Sequence, residues 1–461
     1  MPKNTSKIHF IAIGGSVMHD LAINLARQGN TVTGSDDVIY DPAKSSLKKH
    51  GLLPDQFGWF PEKITPDLDA IILGMHARVD NPELKRAQAL GIQVYSYPEY
   101  VYLQSQDKQR IVVAGSHGKT TITAMVLHVL AHCHREFDYV IGAKVTHLPG
   151  MIKLTDAPII IIEGDEYLSS PIDSTPKFLK YHHHIGLISG VAWDHYNVFP
   201  SFDEYVKQFD AFADATPKAG TLIYCEEDDL ATIIGNKERK DVSSIEYSAH
   251  RHKVKNGVTY LQTEEGEVPV KIFGYHNMQN ISGALMICKR LGLLPEEFYQ
   301  AIQTFEGASK RLERVNSGES VTIFKDFAHA PSKLKATTRA VKEQFPDRKL
   351  IACMELHTYS SLNEAFIDQY QDAFESADVA IVYHNPEVAG QKKLTPLTED
   401  MIKRAFNRND ILVFTESPGL LQYLQELAWK DTNLLMMSSG TFDGIDLDDL
   451  GKKIVAQSAM V

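Results

Sequence analysis

Residues 110–131 read RIVVAGSHGKTTITAMVLHVLA, and this stretch predicts how the rest of the chain folds. The apolar, mostly β-branched run of residues 111–114 is typical of a buried strand. Gly115 and Gly118 predict a tight turn, and the residues from Lys119 onward predict a helix with apolar positions. A strand, a glycine turn and a helix in this order predict a loop that binds phosphate groups.

The residues of this loop suit a nucleotide. Backbone N–H groups and the helix N-terminus would face the anion, Lys119 would reach the β- and γ-phosphate oxygens, and the Thr120 hydroxyl can ligate Mg²⁺. The general pattern G-x-x-x-x-G-K-[ST] would place its first glycine at Val113, so the loop is shortened here. A plain glycine turn before a helix is the alternative reading. We predict a nucleotide site formed by Gly115, Ser116, His117, Gly118, Lys119, Thr120 and Thr121.

The composition excludes several classes of protein. With 461 residues, 43% of them apolar, the chain is long enough for two to four globular domains. A net charge of −12 argues against a nucleic-acid partner, because phosphate contacts need clustered Lys and Arg. No apolar run approaches the ~20 residues of a membrane span, and four scattered cysteines fit a reducing cytosol. We expect a cytoplasmic monomer or weak homodimer with no membrane partner.

The N-terminal residues predict the first βαβ unit of a doubly wound sheet. The pattern predicts a strand over residues 8–13, then a glycine turn and a helix over 17–28. A second strand over 31–34 follows. Ala12 and Val17 stand where the dinucleotide fingerprint has its first and third glycines, which disfavours NAD. The turn instead suits a diphosphate on the helix N-terminus.

Polar residues near this turn are candidates for binding a sugar nucleotide. Asp36 follows the second strand at the spacing at which an acidic residue contacts a ribose. The strand over residues 70–74 leads into a loop at an edge where such sheets bind ligands. The candidates for this site are Gly14, Gly15, Ser16, Asp36, His76, Arg78 and Asn81.

Two residues near strand ends in the central part of the chain are candidate metal ligands. Glu163 follows the strand predicted for residues 158–162, and a carboxylate at such an edge is the usual second anchor for Mg²⁺. An acidic surface turn is the alternative. His195 follows the strand predicted for 185–191, although a lone histidine after a strand is more often structural. The tract of residues 182–184 (HHH) is excluded as a metal site, because neighbours on a strand point to opposite faces.

The last third of the chain returns to alternating strands and helices. Strands are predicted over 321–324, 350–354, 379–383, 411–414 and 434–437. We therefore predict an α/β protein of three domains: a Rossmann-like domain over 1–107, a central phosphate-loop ATPase domain over 108–312 and a second Rossmann-like domain over 313–461.

The motifs together resemble the ATP-dependent Mur ligases of peptidoglycan synthesis. The shortened loop GSHGKTT is similar to that family's own phosphate loop, and EGDEY, AWDH, HNMQN, GASKR and DFAHAP match its later motifs in order. The segments IAIGGSVMHDLA and GSDD resemble the branch that starts from UDP-N-acetylmuramate. The stretches VIYDPAKSSLKKHG and ILGMHARVDNP resemble members that attach L-Ala-γ-D-Glu-meso-diaminopimelate in cell-wall recycling. The segment ELHTYSS around His357 is closer to members that add L-alanine, so the acceptor amine stays open.

The resemblance also implies a role for each matching residue. Lys119 and Thr120 would hold the ATP phosphates and a first Mg²⁺, and Glu163 and His195 would ligate Mg²⁺. Because the nitrogen of His195 is an unusual ligand for so hard a cation, we expect Mn²⁺ to substitute well. The remaining implied roles are adenine contacts for His276 and Asn277, phosphate contacts for Arg311, and positions on the ATP and acyl-phosphate side for Asp326 and His329. His329 is also a candidate proton acceptor for the amine.

The implied reaction begins with attack of the lactyl carboxylate on the γ-phosphorus of ATP. The resulting acyl phosphate is then attacked by the amine, with phosphate as the leaving group. Two other functions are considered. A folylpolyglutamate synthetase is disfavoured by the N-terminal sugar-nucleotide domain, and a non-catalytic ATP-gated binding protein would not need Glu163, His195 and Asp326.

Overall fold

The computed structural model describes residues 5–145, 148–193, 198–255 and 257–459. These residues form two compact units. The first contains the chain up to residue 191 together with 206–246 and 286–291, and the second contains 192–205, 247–285 and the chain from residue 292. In the described part of the chain, no helix combines the length and the apolar character needed to cross a bilayer.

The first unit begins with a four-stranded parallel sheet. Its strands are Lys7–Ile11 (β1), Thr31–Ser35 (β2), Ala70–Leu73 (β3) and Val94–Ser96 (β4). They lie in the order β2-β1-β3-β4. The helices are Ser16–Arg27 (α1), Ala43–Lys49 (α2), Pro82–Leu90 (α3) and Tyr97–Leu103 (α4), with a 3-10 turn at Pro61–Lys63. Helix α1 ends before Gly29, whose φ of 95° is the left-handed conformation that ends helices.

A seven-stranded sheet forms the larger part of this unit. Its strands are Gln109–Ala114 (β5), Asp138–Val140 (β6), Ile152–Lys153 (β7), Ile159–Glu163 (β8), Ile185–Ile188 (β11), Thr221–Cys225 (β12) and Ser243–Tyr247 (β13), with a hairpin of Leu168–Ser170 (β9) and Asp173–Pro176 (β10) beside it. The order is β13-β12-β11-β5-β8-β6-β7, and β5 lies between β11 and β8 with both neighbours parallel. The helices are Lys119–His132 (α5), Lys177–Lys180 (α6), Phe202–Asp214 (α7) and Asp229–Gly235 (α8).

The second unit contains two sheets. A small antiparallel sheet is formed by His252–Lys255 (β14), Val258–Thr263 (β15) and Gly266–Val270 (β16), and the helices Tyr275–Arg290 (α9) and Pro295–Ile302 (α10) follow it. The six strands of the last sheet are Glu313–Ser317 (β17), Val321–Asp326 (β18), Lys349–Glu355 (β19), Val379–Tyr383 (β20), Leu412–Phe414 (β21) and Thr432–Met437 (β22). Their order is β17-β18-β22-β19-β20-β21, with only β17 antiparallel.

Helices cover both faces of this last sheet. They are Pro331–Gln344 (α11), Glu364–Ile367 (α12), Pro386–Gln391 (α13), Glu399–Ala405 (α14), Ser417–Glu426 (α15) and Leu447–Ser458 (α16), with a 3-10 turn at Asp368–Tyr370. Along β19, Leu350, Ala352 and Met354 enter one core. Ile351 and Cys353 enter the other. Alternate residues are therefore buried on opposite faces, as in a doubly wound sheet. The predicted α/β class and its parallel sheets are confirmed.

Three predicted placements are wrong. Glu163 does not follow a strand but ends β8, because that strand stays paired with β5 as far as Val113. The residues 276–280 (HNMQN), predicted from the Ala-, Ile- and Leu-rich run after them to precede a helix, lie inside helix α9. The histidines 182–184 precede β11 and do not lie on it, because the strand begins at Ile185. His183 instead bonds Thr216 at 2.9 Å.

Candidate functional site

The phosphate loop joins β5 to α5 at the centre of the seven-stranded sheet. Gly115 has a φ of 131°, and a Cβ at this position would lie 2.0 Å from the Ser189 hydroxyl oxygen, so no other residue fits without displacement. The Ser116 N–H donates to the Gly190 carbonyl at 2.9 Å, and the Ser189 hydroxyl donates to the His117 carbonyl. The residues after β11 thus hold the loop in shape.

Lys119 points back onto the protein at the first turn of α5. Its ammonium donates to Glu166 Oε2 at 2.7 Å and to the Gly115 carbonyl at 2.5 Å. Burial alone would lower the pKa of Lys119, but the neighbouring carboxylates of Glu166 and Asp165 raise it above its ordinary value. The lysine is therefore a permanent cation beside the glycine turn.

Thr120 and Glu163 meet beside the lysine. The Thr120 hydroxyl donates to Glu163 Oε1 at 2.6 Å, and the Gly142 N–H donates to Glu163 Oε2 at 2.7 Å. A Cβ on Gly142 would lie 3.2 Å from both carboxylate oxygens. The close approach of this backbone fixes the carboxylate against the helix start.

The donor set of Thr120 and Glu163 fits a hard cation. A hydroxyl and a carboxylate are oxygen ligands of the type that Mg²⁺ prefers. Among the residues that the structure describes, no group of three or more His, Cys, Asp or Glu is arranged to hold a metal ion. The predicted ligand His195 lies outside the described residues, so its role stays a prediction.

The predicted sugar-nucleotide residues surround the first glycine turn. The Gly14 N–H donates to Asp36 Oδ2 at 2.7 Å, and Ser16 begins α1 directly after Gly15. Ala12 has a φ of 68°, so this alanine adopts the conformation that a glycine would adopt more easily. Burial raises the pKa of Asp36 to about 6, although the Gly14 N–H opposes that shift.

The loop after β3 has two exposed candidates and one structural candidate. Arg78 is exposed, pairs with Asp80 at 3.2 Å and follows the exposed His76. Asn81 is buried, and its side chain accepts the N–H groups of Glu83 and Leu84 at the start of α3. The capping of α3 by Asn81 fixes the end of this loop.

In the second unit, Arg311 lies with Asp326 and His329. The Arg311 guanidinium stacks on the Phe327 ring at 4.8 Å, and the Phe327 N–H donates to the Lys310 carbonyl at 2.9 Å. Asp326 accepts the N–H groups of Leu312 and Ala328 at the end of β18. Burial raises the pKa of Asp326, and the Arg311 charge partly offsets that shift. The His329 ring lies 5.1 Å from the same Phe327 ring, so the structure brings these three predicted residues into one cluster.

The start of α9 carries the two predicted adenine contacts. The Asn277 side chain is buried and donates to the Phe273 carbonyl at 2.8 Å. The preceding Gly274 has a φ of 91°, and a Cβ there would lie 2.5 Å from Ala340. His276 is half-buried in the same turn. Asn277 therefore fixes the loop that leads into the helix, and its part in adenine binding stays a prediction.

A further polar cluster lies at the carboxyl edge of the last sheet. Glu355 is buried and accepts the Phe442 N–H at 2.9 Å and the Ser438 hydroxyl, and it lies 3.5 Å from His357 Nδ1. Beside it, Asp443 accepts from the Tyr383 hydroxyl and from Asn385. Sequence reasoning quoted Glu355 only as part of the segment ELHTYSS and assigned it no role, because its partners Ser438 and Phe442 lie 83 and 87 positions away.

Sequence reasoning also missed residues around the phosphate loop. The most important is Glu166, which belongs to the quoted motif EGDEY but was given no role. Asp228 is another, since its carboxylate accepts the Val191 N–H at 3.1 Å beside the residues that hold the loop. Their partners are set by tertiary packing, which spacing along the chain does not reveal.

Models of protein families match most of the chain. One described as "Mur ligase family, catalytic domain" matches residues 7–108, one described as "Mur ligase middle domain" matches 113–288, and one described as "Mur ligase, glutamate ligase domain" matches 310–440.

Individual relatives agree with these matches. A UDP-N-acetylmuramate–L-alanine ligase of Sulfurihydrogenibium sp. is 31% identical over 383 residues, which are 82% of each chain. An enzyme of the same name from Caldanaerobacter subterraneus is 27% identical over 98% of each chain. Two solved structures share the fold over 98% of this chain and 99% of theirs: a UDP-N-acetylmuramate-alanine ligase from Thermotoga maritima (TM-score 0.70, 20% identity) and a murein peptide ligase from Psychrobacter arcticus (TM-score 0.67, 22% identity).

Proposed function

Since the chain belongs to the Mur ligase family, whose members are ATP-dependent, ADP-forming ligases, we propose that it joins UDP-N-acetylmuramate to an amine. The bond formed would be an amide between the lactyl carboxylate of the sugar and the amine of an amino acid or short peptide. The relatives from Sulfurihydrogenibium and Caldanaerobacter carry UDP-N-acetylmuramate in their names, which supports this donor substrate.

One observation carries the proposal: the ammonium of Lys119 and the Thr120–Glu163 pair lie together at the start of α5. The helix N-terminus and the lysine suit the β- and γ-phosphates of ATP. Thr120 and Glu163 would hold Mg²⁺, which would neutralise charge on the phosphates. The same proposal includes His195 as a further ligand of the metal ion and Mn²⁺ as a substitute for Mg²⁺.

The chemistry places two anions against each other. The lactyl carboxylate attacks the γ-phosphorus and ADP leaves, which gives an acyl phosphate. The negative charge of the carboxylate is repelled by that of the triphosphate. Lys119 offsets this repulsion, and Arg311 is proposed as a second cation on the phosphates. The acyl phosphate is then attacked by the amine, and His329 is the candidate that accepts the proton.

The first glycine turn is the proposed site of the UDP group. The N-terminus of α1 would bind the diphosphate. Asp36 is held by Gly14 at the end of the neighbouring strand, and a carboxylate there is suited to hydroxyl groups of the ribose or sugar. The exposed Arg78 and His76 complete the proposed site from the loop after β3, and Asn81 fixes the end of that loop by capping α3.

For the acceptor we propose L-Ala-γ-D-Glu-meso-diaminopimelate, on the strength of the N-terminal stretches that resemble tripeptide-adding members. L-Alanine is the second candidate. It is favoured by the names of the curated relatives and by His357, which contacts the buried Glu355. Both acceptors would be bound by the domain of the last sheet.

The test is phosphate release by the full chain with ATP, Mg²⁺ and UDP-N-acetylmuramate. Parallel reactions would contain the tripeptide, L-alanine or no acceptor, and mass spectrometry would identify the product. Release with the tripeptide and formation of the UDP-muramyl tripeptide support the first assignment. Phosphate release only with L-alanine supports the second assignment. If neither amine leads to phosphate release, the proposed reaction is contradicted.

A further inference from the structure

The segment 163–166 (EGDE) places three carboxylates beside the phosphate loop, and each has a different partner. Glu163 accepts from the Thr120 hydroxyl, and Asp165 pairs with Lys177 at 2.6 Å. Glu166 pairs with Lys119 at 2.7 Å. The proposed reaction uses the first carboxylate as a metal ligand and leaves the third without a role.

The pair of Glu166 and Lys119 is enclosed. The Glu166 side chain is 1% exposed and that of Lys119 is 14% exposed. The ammonium also donates to the Gly115 carbonyl, so two protein acceptors hold it against the base of the loop. A lysine that binds the β- and γ-phosphates must exchange at least part of this pairing for phosphate oxygens.

The carboxylate has two opposite effects on ATP. It fixes the lysine next to the glycine turn, which reduces the entropy lost when the phosphate binds. It also puts a buried negative charge 2.7 Å from the Lys119 ammonium, the group that would bind the triphosphate. In a buried site, water screens this repulsion poorly.

We propose that Glu166 is a positioning residue that holds Lys119 in the nucleotide-free enzyme and competes with the phosphates of ATP for it. Glu166 thereby limits the affinity of the site for ATP. This inference rests on the ATP site of the proposed function and adds a residue that sets the affinity of that site.

The experiment is calorimetric titration of full-length wild type and Glu166→Gln with ATP, once with EDTA and once with Mg²⁺. Glutamine keeps the shape of the side chain and removes its charge. We expect Glu166→Gln to bind Mg-free ATP about tenfold more tightly, because like charges no longer face each other. The gain should be smaller for MgATP, which carries less negative charge. The KM for ATP should fall while kcat does not rise.

The control is Asp173→Asn, which removes the charge of another carboxylate that is paired with a lysine, Lys180, in the same unit. Its ATP affinity should match that of wild type. Unchanged or weaker ATP binding by folded Glu166→Gln, or equal tightening in the control, would overturn the proposal. Failure of wild type to bind ATP would instead contradict the proposed function.

A second variant covers the case in which Glu166→Gln does not fold, as judged by circular dichroism. Glu166→Asp keeps the charge but withdraws it from the lysine by one methylene group. We expect a smaller tightening of Mg-free ATP, about two- to threefold by the same charge argument. A folded Glu166→Asp protein with the affinity of wild type would overturn the proposal.

Discussion

The two glycine turns of the first unit have the same position in their sheets but different side chains around them. Each follows a strand with parallel neighbours on both sides and opens a helix, β1 to α1 and β5 to α5. At the first turn, the polar partner is Asp36, which accepts the Gly14 N–H. At the second, Lys119 lies between the helix start and Glu166, and Glu163 contacts Thr120.

Under the proposed function, this difference suits the two turns to different phosphate ligands. Backbone N–H groups and a helix N-terminus suit a diphosphate that is bound but not broken. A triphosphate whose γ-phosphorus reacts also needs a cation at the developing charge and oxygen ligands for Mg²⁺. At the second turn, the carboxylates come from strand β8 and the residues after it. At the first turn, the carboxylate is that of Asp36, which follows β2.

The largest effect is expected from Lys119→Ala. The variant removes the cation proposed to face the γ-phosphate, and such contacts contribute ~3–4 kcal/mol, or ~10²–10³ in rate. Phosphate release with saturating substrates measures the loss. Lys153→Ala is the matched control, because Lys153 bonds the Phe137 carbonyl at the far edge of the same sheet. Near-normal turnover of folded Lys119→Ala would contradict the proposal that the second turn, unlike the first, needs a cation.

The next effect is expected from Glu163→Gln, which removes charge and a proposed metal ligand. We expect the Mg²⁺ concentration for half-maximal activity to rise about 10- to 100-fold. Binding of the UDP-sugar at the first turn should not change. His195→Ala is expected to raise the metal requirement by a smaller factor, since it leaves the carboxylate in place. A Glu163→Gln enzyme with the metal dependence of wild type would contradict the assignment.

The strands and glycine turns could be predicted from the sequence, because they depend on local sequence pattern. Apolar runs such as residues 111–114 predict their strands, and glycines beside Lys119 predict the loop. The antiparallel strand His252–Lys255 was missed because three of its four residues are exposed and it has no apolar run. Glu166 was not assigned because its lysine partner lies 47 positions away, and only folding brings the two together.

A smaller effect is expected when one glycine of each turn is replaced by alanine. In Gly115→Ala the new Cβ would meet Ser189, and the φ of 131° is unfavourable for alanine, so we expect a loss of about 1–3 kcal/mol in unfolding free energy. In Gly14→Ala the nearest atoms, at 2.9 Å, belong to the side chains of Asp36 and Ile39, which can move. Urea unfolding of both variants measures the difference. Equal losses would show that the second turn is no more constrained than the first.

The last effect, of comparable size but visible only as a change with pH, is expected from Asp36→Asn at the first turn. Burial raises the pKa of this carboxyl from 3.8 to about 6 in the folded protein. The folded state therefore binds the proton more tightly than the unfolded state, and the stabilisation that this provides is complete below about pH 4 and lost as the pH rises through about 6. Asparagine keeps an oxygen for the Gly14 N–H and does not ionise. Relative to the variant, wild type should lose up to about 1–3 kcal/mol of unfolding free energy between pH 4 and pH 7, given about 1.4 kcal/mol per pKa unit. Urea unfolding at intervals across this range measures it, and a difference between the two proteins that does not vary with pH would contradict the raised pKa of Asp36.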